Sequence, residues 1–336
     1  MKIKKLLISS IVWLVLILVA LPLLTACAEP AAPVLKLNYG TTSAGSGQYA
    51  MMAAVAEIWN EEIPEVSVTV METGATIDNV KLLRRGDLQI GFATFTFLGL
   101  GYHGGLGFEG EANPDLRTLF LMWSVPHALF VTQASGVTSV YELEGKNFGA
   151  GITGSATEMI TEALFDANGV TPNWFRGDVA AARDATKNRT IIGYSKTGEP
   201  DPSILDVASV LPIRILEVPE EWFAKAEEAY PGMVIPGILP ANTYSGQNED
   251  IVTFMAVSGI GVTKDLPTDI GYEMCKSVYA QRHDLAEAFS QFRGKLPDFP
   301  EWTVKTAKTP LHAGAVEFFR EMGVHVPDEL IPPEAR

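Results

Sequence analysis

One arrangement, a strand followed by a loop of small polar residues and a helix start, recurs along this chain and dictates most of what it can fold into. Its first copy runs from an alternating apolar segment, Val34 to Tyr39, through YGTTSAGSGQY into a helix from Ser46 to Glu61, with Tyr49, Met52, Ala53, Ala56 and Trp59 at helical spacing. A second strand around Val66, Val68 and Val70 leads through Glu72-Thr73-Gly74-Ala75-Thr76 into a helix that Gly86 ends. A third strand spans Leu88 to Phe95, and Gly99 to Gly110 reads as a glycine-rich loop. Leu116 to Thr132 follows as a strand, or strands, broken by Pro126. Thr153-Gly154-Ser155-Ala156-Thr157 then opens another helix, which Asn168-Gly169 closes. Strands alternating with helices predict an α/β fold with largely parallel sheets, whose loops gather at the carboxyl edge. A second sheet with its own loop and helix start predicts a second lobe. Beyond it, Ile191 to Tyr194 reads as a short strand ending in a turn-rich loop, Ser195 to Pro200. Pro231 to Asn248 reads as irregular, Ile251 to Val262 as the last long strand, and Ile270 to Gly323 as two or three helices.

The loops carry two explanations. Glycines 40, 45 and 47 let the backbone approach another molecule, and Thr41, Thr42, Ser43 and Ser46 add hydroxyls. With the unpaired N–H groups of a helix start, they suit an anionic or zwitterionic small molecule. The same residues also serve as plain connections. Ser155 and Glu158 form a capping box, and Thr76 and Asn79 suit the cap and first turn of the second helix.

The chain has 336 residues, 47% of them hydrophobic, enough for two domains with real cores. Lys2, Lys4 and Lys5 precede an apolar run from Leu6 to about Leu24, a signal-peptide arrangement. Leu24-Thr25-Ala26-Cys27 resembles the lipobox of bacterial lipoproteins. The expectation is a signal over 1–26, lipid on Cys27 and a tether over 27–33, which holds the globule on the outer face of a membrane. An uncleaved anchor helix is the alternative. With Cys27 lipidated, Cys275 is left alone and reads as a small core residue; otherwise the two are open to pairing. Removing 1–26 takes away three Lys and no acid, moving the formal charge from −15 to −18. A surface that acidic argues against nucleic acid as a partner.

Several motifs lead nowhere. Gly99 to Gly104 and Gly105 to Gly110 both match G-x-G-x-x-G, yet neither is followed by a helix in the pattern. Gly45 to Ala50 does open a helix, but its first glycine lies too far beyond the strand end for a dinucleotide turn. There is no G-x-S-x-G elbow, and His103, His127, His283, His312 and His325 show no metal-ligand spacing. No cofactor or metal is expected. An exported hydrolase is the one enzymatic alternative.

Five segments occur in order: YGTTSAGSGQY, TGATIDNVKLLRRGDLQIGF, GAGITGSATEMITEALFDANGV, PANTYSGQNEDIVTFMAV and PLHAGAVEFFREMG. Together they resemble the TAXI family of solute receptors of TRAP transporters. That resemblance implies a type II periplasmic-binding-protein-like fold, two α/β lobes closing on a solute, and delivery to a TRAP membrane permease. It implies glutamate, 2-oxoglutarate or a similar carboxylate as ligand. Carried over residue by residue, it implies ligand contacts from Thr42, Ser43, Ser46 and Gly47, from Gly74, Ala75, Thr76 and Asn79, and from Thr153, Gly154, Ser155 and Thr157. Phe95 and Phe97 stand where relatives tend to carry a polar stretch. Phe95 as an apolar wall would favour a more apolar organic acid, unless it points into the core. Tyr194, Trp123 and His127 are further wall candidates, while Arg84, Arg85, Arg176 and Lys196 read as solvated charges, with an Arg or Lys clamp on the ligand as the alternative. The expected lobes are 34–124 plus 252–336, and 125–251. A receptor for an ABC importer or a membrane sensor shares the same fold and cleft.

Overall fold

The computed structural model describes residues 34–197, 200–289, 292 and 296–336. The signal, the tether and Cys27 lie outside them. Side-chain alternation sets the first strands. In β1 (Leu35–Gly40), Leu37 and Tyr39 are buried while Lys36 and Asn38 face solvent, and β2 (Val66–Met71) buries Val66 and Val68. β3 (Ile90–Thr94) is buried throughout, as expected of a parallel strand covered on both faces. Helices α1 (Gly47–Glu62) and α2 (Thr76–Arg85) connect them, and Gly86 ends α2 in the left-handed conformation.

The remaining elements are α3 (Phe95–His103), β4 (Leu116–Thr132), β5 (Asn147–Gly149), α4 (Ala156–Ala167), β6 (Asn173–Phe175), α5 (Val179–Lys187), β7 (Gly193–Thr197) and α6 (Pro202–Ala208). They continue with β8 (Ile213–Ile215), α7 (Glu220–Ala229), β9 (Ile235–Leu239), β10 (Ile251–Thr263), α8 (Thr268–Ala280), α9 (Arg282–Ala288), α10 (Phe299–Thr306) and α11 (Ala313–Glu321). The strands lie side by side in the order β2-β1-β3-β10-β4-β7-β5-β6, with β8 on β4 and β9 on β10. β1 and β3 are parallel at one end, and β5 is parallel to β6 and β7 at the other. The long strands β4 and β10 run antiparallel between these ends.

Pro126 does not break β4, contrary to the sequence expectation. It pairs with Met255 of β10, and from His127 onward the strand pairs with β7 instead. Where a strand changes partner, a residue without an N–H costs no ladder bond. The Gly99 to Gly110 stretch is also not wholly a loop, since α3 takes its first half. Gly101 explains why: a Cβ there would lie 2.4 Å from Val80 and 3.3 Å from Leu116, so its absence lets α3 pack closely. β7 extends through Ser195, Lys196 and Thr197, which the sequence suggested were loop. β9 forms within the supposedly irregular Pro231 to Asn248, and four helices follow β10 among the described residues.

Aromatic residues tie the layers together. Trp59 of α1 lies between Tyr39 and Phe120, with ring centroids at 5.5 and 6.4 Å, and its indole donates to the Met274 carbonyl of α8. Each such fully buried ring contributes about 2–3 kcal/mol by leaving water. Cys275 is buried in this layer, where burial pushes its thiol well above the usual range. Among the described residues no helix is long and apolar enough to cross a membrane, and no cluster of His, Cys, Asp and Glu is placed to hold a metal ion.

Candidate functional site

Three helix starts meet at one place. Ser46 caps α1 by accepting from the Gln48 N–H, and Ser155 caps α4 by accepting from the Glu158 N–H. α2 is different. Its cap position is Ala75, at φ 74° and ψ −146°, and no side chain closes its N-terminus. Thr76, expected as the cap, is instead the first helical residue, and its hydroxyl accepts from the Thr94 N–H. A non-glycine residue at positive φ stores about 1–3 kcal/mol of strain, which the surroundings must hold in place.

These starts, the end of β3, β7 and the middle of β10 close around a narrow cavity of about 20 Å³. Its walls include Thr42, Gln48, Ala75, Thr76, Phe92 and Thr94 from the β1–β3 side, and Ala256 and Ser258 from β10. Ile152, Ser155, Ala156, Thr157, Lys196 and Thr197 line it from the β5–β7 side. Among the described residues, Lys196 is the one charged side chain in this wall.

Lys196 is 3% exposed, not a solvated charge as the sequence suggested. Its ammonium reaches the Thr197 carbonyl at 3.1 Å, Ser46 Oγ at 3.3 Å and Asp201 Oδ2 at 3.4 Å. Asp201 in turn caps α6, accepting at Oδ1 from Ser203 N at 2.9 Å, Ile204 N at 3.3 Å and the Ser203 hydroxyl. The ion pair is therefore held by backbone as well as by charge. The other three cations flagged in the sequence are paired elsewhere: Arg84 with Glu111, Arg85 with Asp87, and Arg176 with Glu158 and Glu162.

Three hydroxyls in the wall stand out. Thr42 Oγ1, Thr94 Oγ1 and Ser258 Oγ, on residues 1%, 5% and 1% exposed, have no hydrogen-bond partner among the described residues. Buried polar atoms are nearly always paired, so three in one wall mark a place built for other polar atoms.

Of the residues expected at the site, Thr42, Ala75, Thr76, Ser155 and Thr157 line the cavity. Ser43 and Ser46 are buried beside it, Ser46 serving as both cap and lysine acceptor. Gly47 and Gly74 act differently, as contact points. A Cβ on Gly47 would sit 3.1 Å from Pro202, and one on Gly74 would sit 3.4 Å from the Thr153 carbonyl. The loop N–H groups of Gly74 and Gly154 are taken by Asp78 at 3.1 Å and Glu158 at 2.7 Å, just as Glu72 takes the N–H of Ala44. Thr153 donates its N–H to the Gly177 carbonyl.

Asn79, Phe95 and Tyr194 do not line the cavity. The Asn79 amide bolts the Thr41 carbonyl to the Phe92 carbonyl, both at 2.8 Å. Phe95 starts α3 and sits with Phe97 in the apolar core, because the helix begins one residue after β3 ends. Tyr194 lies edge-on against Phe130 and donates to Ser203 Oγ. The aromatic wall is Phe92, stacked on Trp123 with centroids at 5.3 Å and planes at 16°. His127 lies behind the site, stacked on Phe254 at 4.0 Å, and desolvation pushes its pKa down to about 3. Sequence reasoning missed Gln48, Phe92, Thr94, Thr197 and Ser258, and favoured solvent over the site for Lys196. The available signal was Lys196 followed closely by Asp201-Pro202, a helix start able to hold a buried lysine.

Solved structures with similar folds include the periplasmic binding protein BugD, at 14% identity and TM-score 0.50 over 79% of this chain and 88% of that one. The alkanesulfonate-binding protein SsuA from Xanthomonas axonopodis pv. citri, bound to MOPS, matches at 15% identity and TM-score 0.46 over 87% and 92%. The fold is the two-lobed α/β architecture of periplasmic binding proteins. The NMT1-like family model matches residues 39–323, and the chain belongs to that family.

Proposed function

We propose that the protein is an extracytoplasmic solute receptor, which closes two lobes on a small carboxylate-bearing solute and delivers it to a TRAP-type membrane permease. The lobes are 34–124 plus 252–336, and 125–251, with a lipid on Cys27 and residues 27–33 as tether. The observation that carries this reading is the trio Thr42, Thr94 and Ser258, buried beside Lys196 with hydroxyls that have no partner among the described residues. Leaving such groups unpaired costs about 1–3 kcal/mol each, a cost that solute oxygens remove on binding. Lys196 and the uncapped start of α2 supply positive potential for a carboxylate.

The mechanism is closure rather than chemistry. A solute touching both sides favours the closed form by its differential affinity for that form, and the permease reads the result. The five-segment likeness to TAXI receptors supports the TRAP partner. The test is calorimetric titration of the pure protein with glutamate, 2-oxoglutarate and apolar organic acids, with small-angle scattering to follow closure and product analysis alongside. One-to-one binding, a shrinking radius of gyration and no product are expected. Turnover, or binding that survives Lys196→Met unchanged, would overturn the proposal.

A further inference from the structure

We infer that the solute is a monocarboxylate bearing a 2-oxo or 2-hydroxy oxygen and a short apolar chain, with no ammonium group. This rests on the receptor reading above and narrows it. Among the described residues the cavity wall holds one cation, Lys196, and no carboxylate. Among the described residues the neighbouring carboxylates are engaged: Glu72, Asp78 and Glu158 accept from loop N–H groups, and Asp201 caps α6. An amino acid would therefore place its ammonium in a buried space beside a like charge, with no carboxylate among the described wall residues to balance it, which desolvation and repulsion both penalise. A dicarboxylate meets the opposite difficulty. Lys196 is the one cation among the described wall residues and is shared with Asp201, so a second anionic group finds no cation of its own.

One anionic head fits, at the α2 start against Lys196. Thr42, Thr94 and Ser258 can donate to or accept from a neighbouring carbonyl or hydroxyl oxygen. The rest of the wall is Phe92, Ala75, Ala156, Ala256 and Ile152, which suits a small branched or flat apolar chain. Trp123 stacked behind Phe92 holds that ring in place. With about 20 Å³ of room, roughly that of a single water, the cavity takes up such a solute as its two sides part.

Calorimetry with four matched probes tests this: 2-oxoisovalerate, valine, 2-oxoglutarate and isovalerate. The expected result is that 2-oxoisovalerate binds about tenfold or more tightly than each of the other three, because each lacks a fit to one feature of the wall. In Thr94→Val the gap between 2-oxoisovalerate and isovalerate should narrow, and in Lys196→Met both should lose most of their affinity. Valine or 2-oxoglutarate binding as tightly as 2-oxoisovalerate would overturn this inference while leaving the receptor reading intact. Failure of all four to bind would overturn the inference and the carboxylate reading together.

Discussion

Gln48 Nε2 donates to Thr197 Oγ1 across 3.1 Å, joining the first turn of α1 to the end of β7. Beside it Lys196 reaches Ser46, and Gly47 abuts Pro202. The first turn of α1 thus forms the seam along which the two sides of the cavity meet. Gly47 stands outside the cavity wall, so a larger side chain there acts as a wedge without altering the wall. Gly47→Leu should enlarge the radius of gyration of the unliganded protein and weaken solute binding by about tenfold, as expected when the competent closed state becomes rare. Stability to urea should move by only about 1 kcal/mol. Unchanged scattering with unchanged affinity would show that this seam does not close the cleft.

The unpartnered hydroxyls make stability and binding move in opposite directions. Thr94→Val and Ser258→Ala each remove a buried oxygen that has no partner among the described residues. In unliganded protein the unfolding free energy should hold or rise by about 1 kcal/mol, since no hydrogen bond is lost and a desolvated group is removed. Solute affinity should fall in both. A parallel fall in stability and affinity would instead assign these hydroxyls a structural role.

Much of the framework is written in local sequence, because strand alternation, caps and C-terminal glycines act over a few residues. Ser46, Gly86, Ser155 and Gly169 take up the roles their sequence context implies. The site is harder to see because its contributors are joined by tertiary contact. Lys196 looks like a surface charge until Asp201 and Ser46 are brought to it from α6 and α1. Phe95 and Phe92 differ by three residues, yet the helix start at Phe95 turns one ring into the core and leaves the other at the cavity. Gly74 and Gly154 suggested free backbone donors, but the same motifs carry Asp78 and Glu158, which take those donors for themselves.

Arg117 and Glu334 fasten the C-terminal segment to the start of β4. The guanidinium, with a side chain 4% exposed, donates to both Glu334 oxygens at 2.6 and 3.1 Å and to the carbonyls of Pro114 and Leu116. Burial opposes ionisation of Glu334, but the bonds to Arg117 outweigh it and hold its pKa below the usual value. A carboxylate with a lowered folded pKa stabilises the fold above its unfolded value, near 4.3, and loses that contribution as pH falls through the folded value. Glu334→Gln should cost about 2 kcal/mol at neutral pH, less than the 3–5 of a fully buried pair because Glu334 is partly exposed. Urea unfolding should show the gap between wild type and variant closing below about pH 4.

His127 adds a slope of the same sign at higher pH, from inside the molecule. Its ring is stacked on Phe254, Nδ1 lies 3.3 Å from the Phe254 carbonyl, and Nε2 has no partner among the described residues. Desolvation lowers its pKa from 6.5 to about 3, with the charge of Lys196 contributing and the Phe254 carbonyl opposing. Between those values the unfolded chain binds a proton that the folded chain does not. Stability therefore rises with pH through this window, by about 1.4 kcal/mol per pH unit at most, and levels off above about 6.5. His127→Phe keeps a ring against Phe254 and removes the titrating group. Its stability curve between about pH 4 and 7 should be flatter than wild type by that single-proton slope. Part of the slope should persist through His312, also pushed down by burial while it pairs with the Leu266 carbonyl at 2.8 Å. Parallel curves for the two proteins would mean that His127 takes up its proton in the folded state and that the wall behind Lys196 admits water.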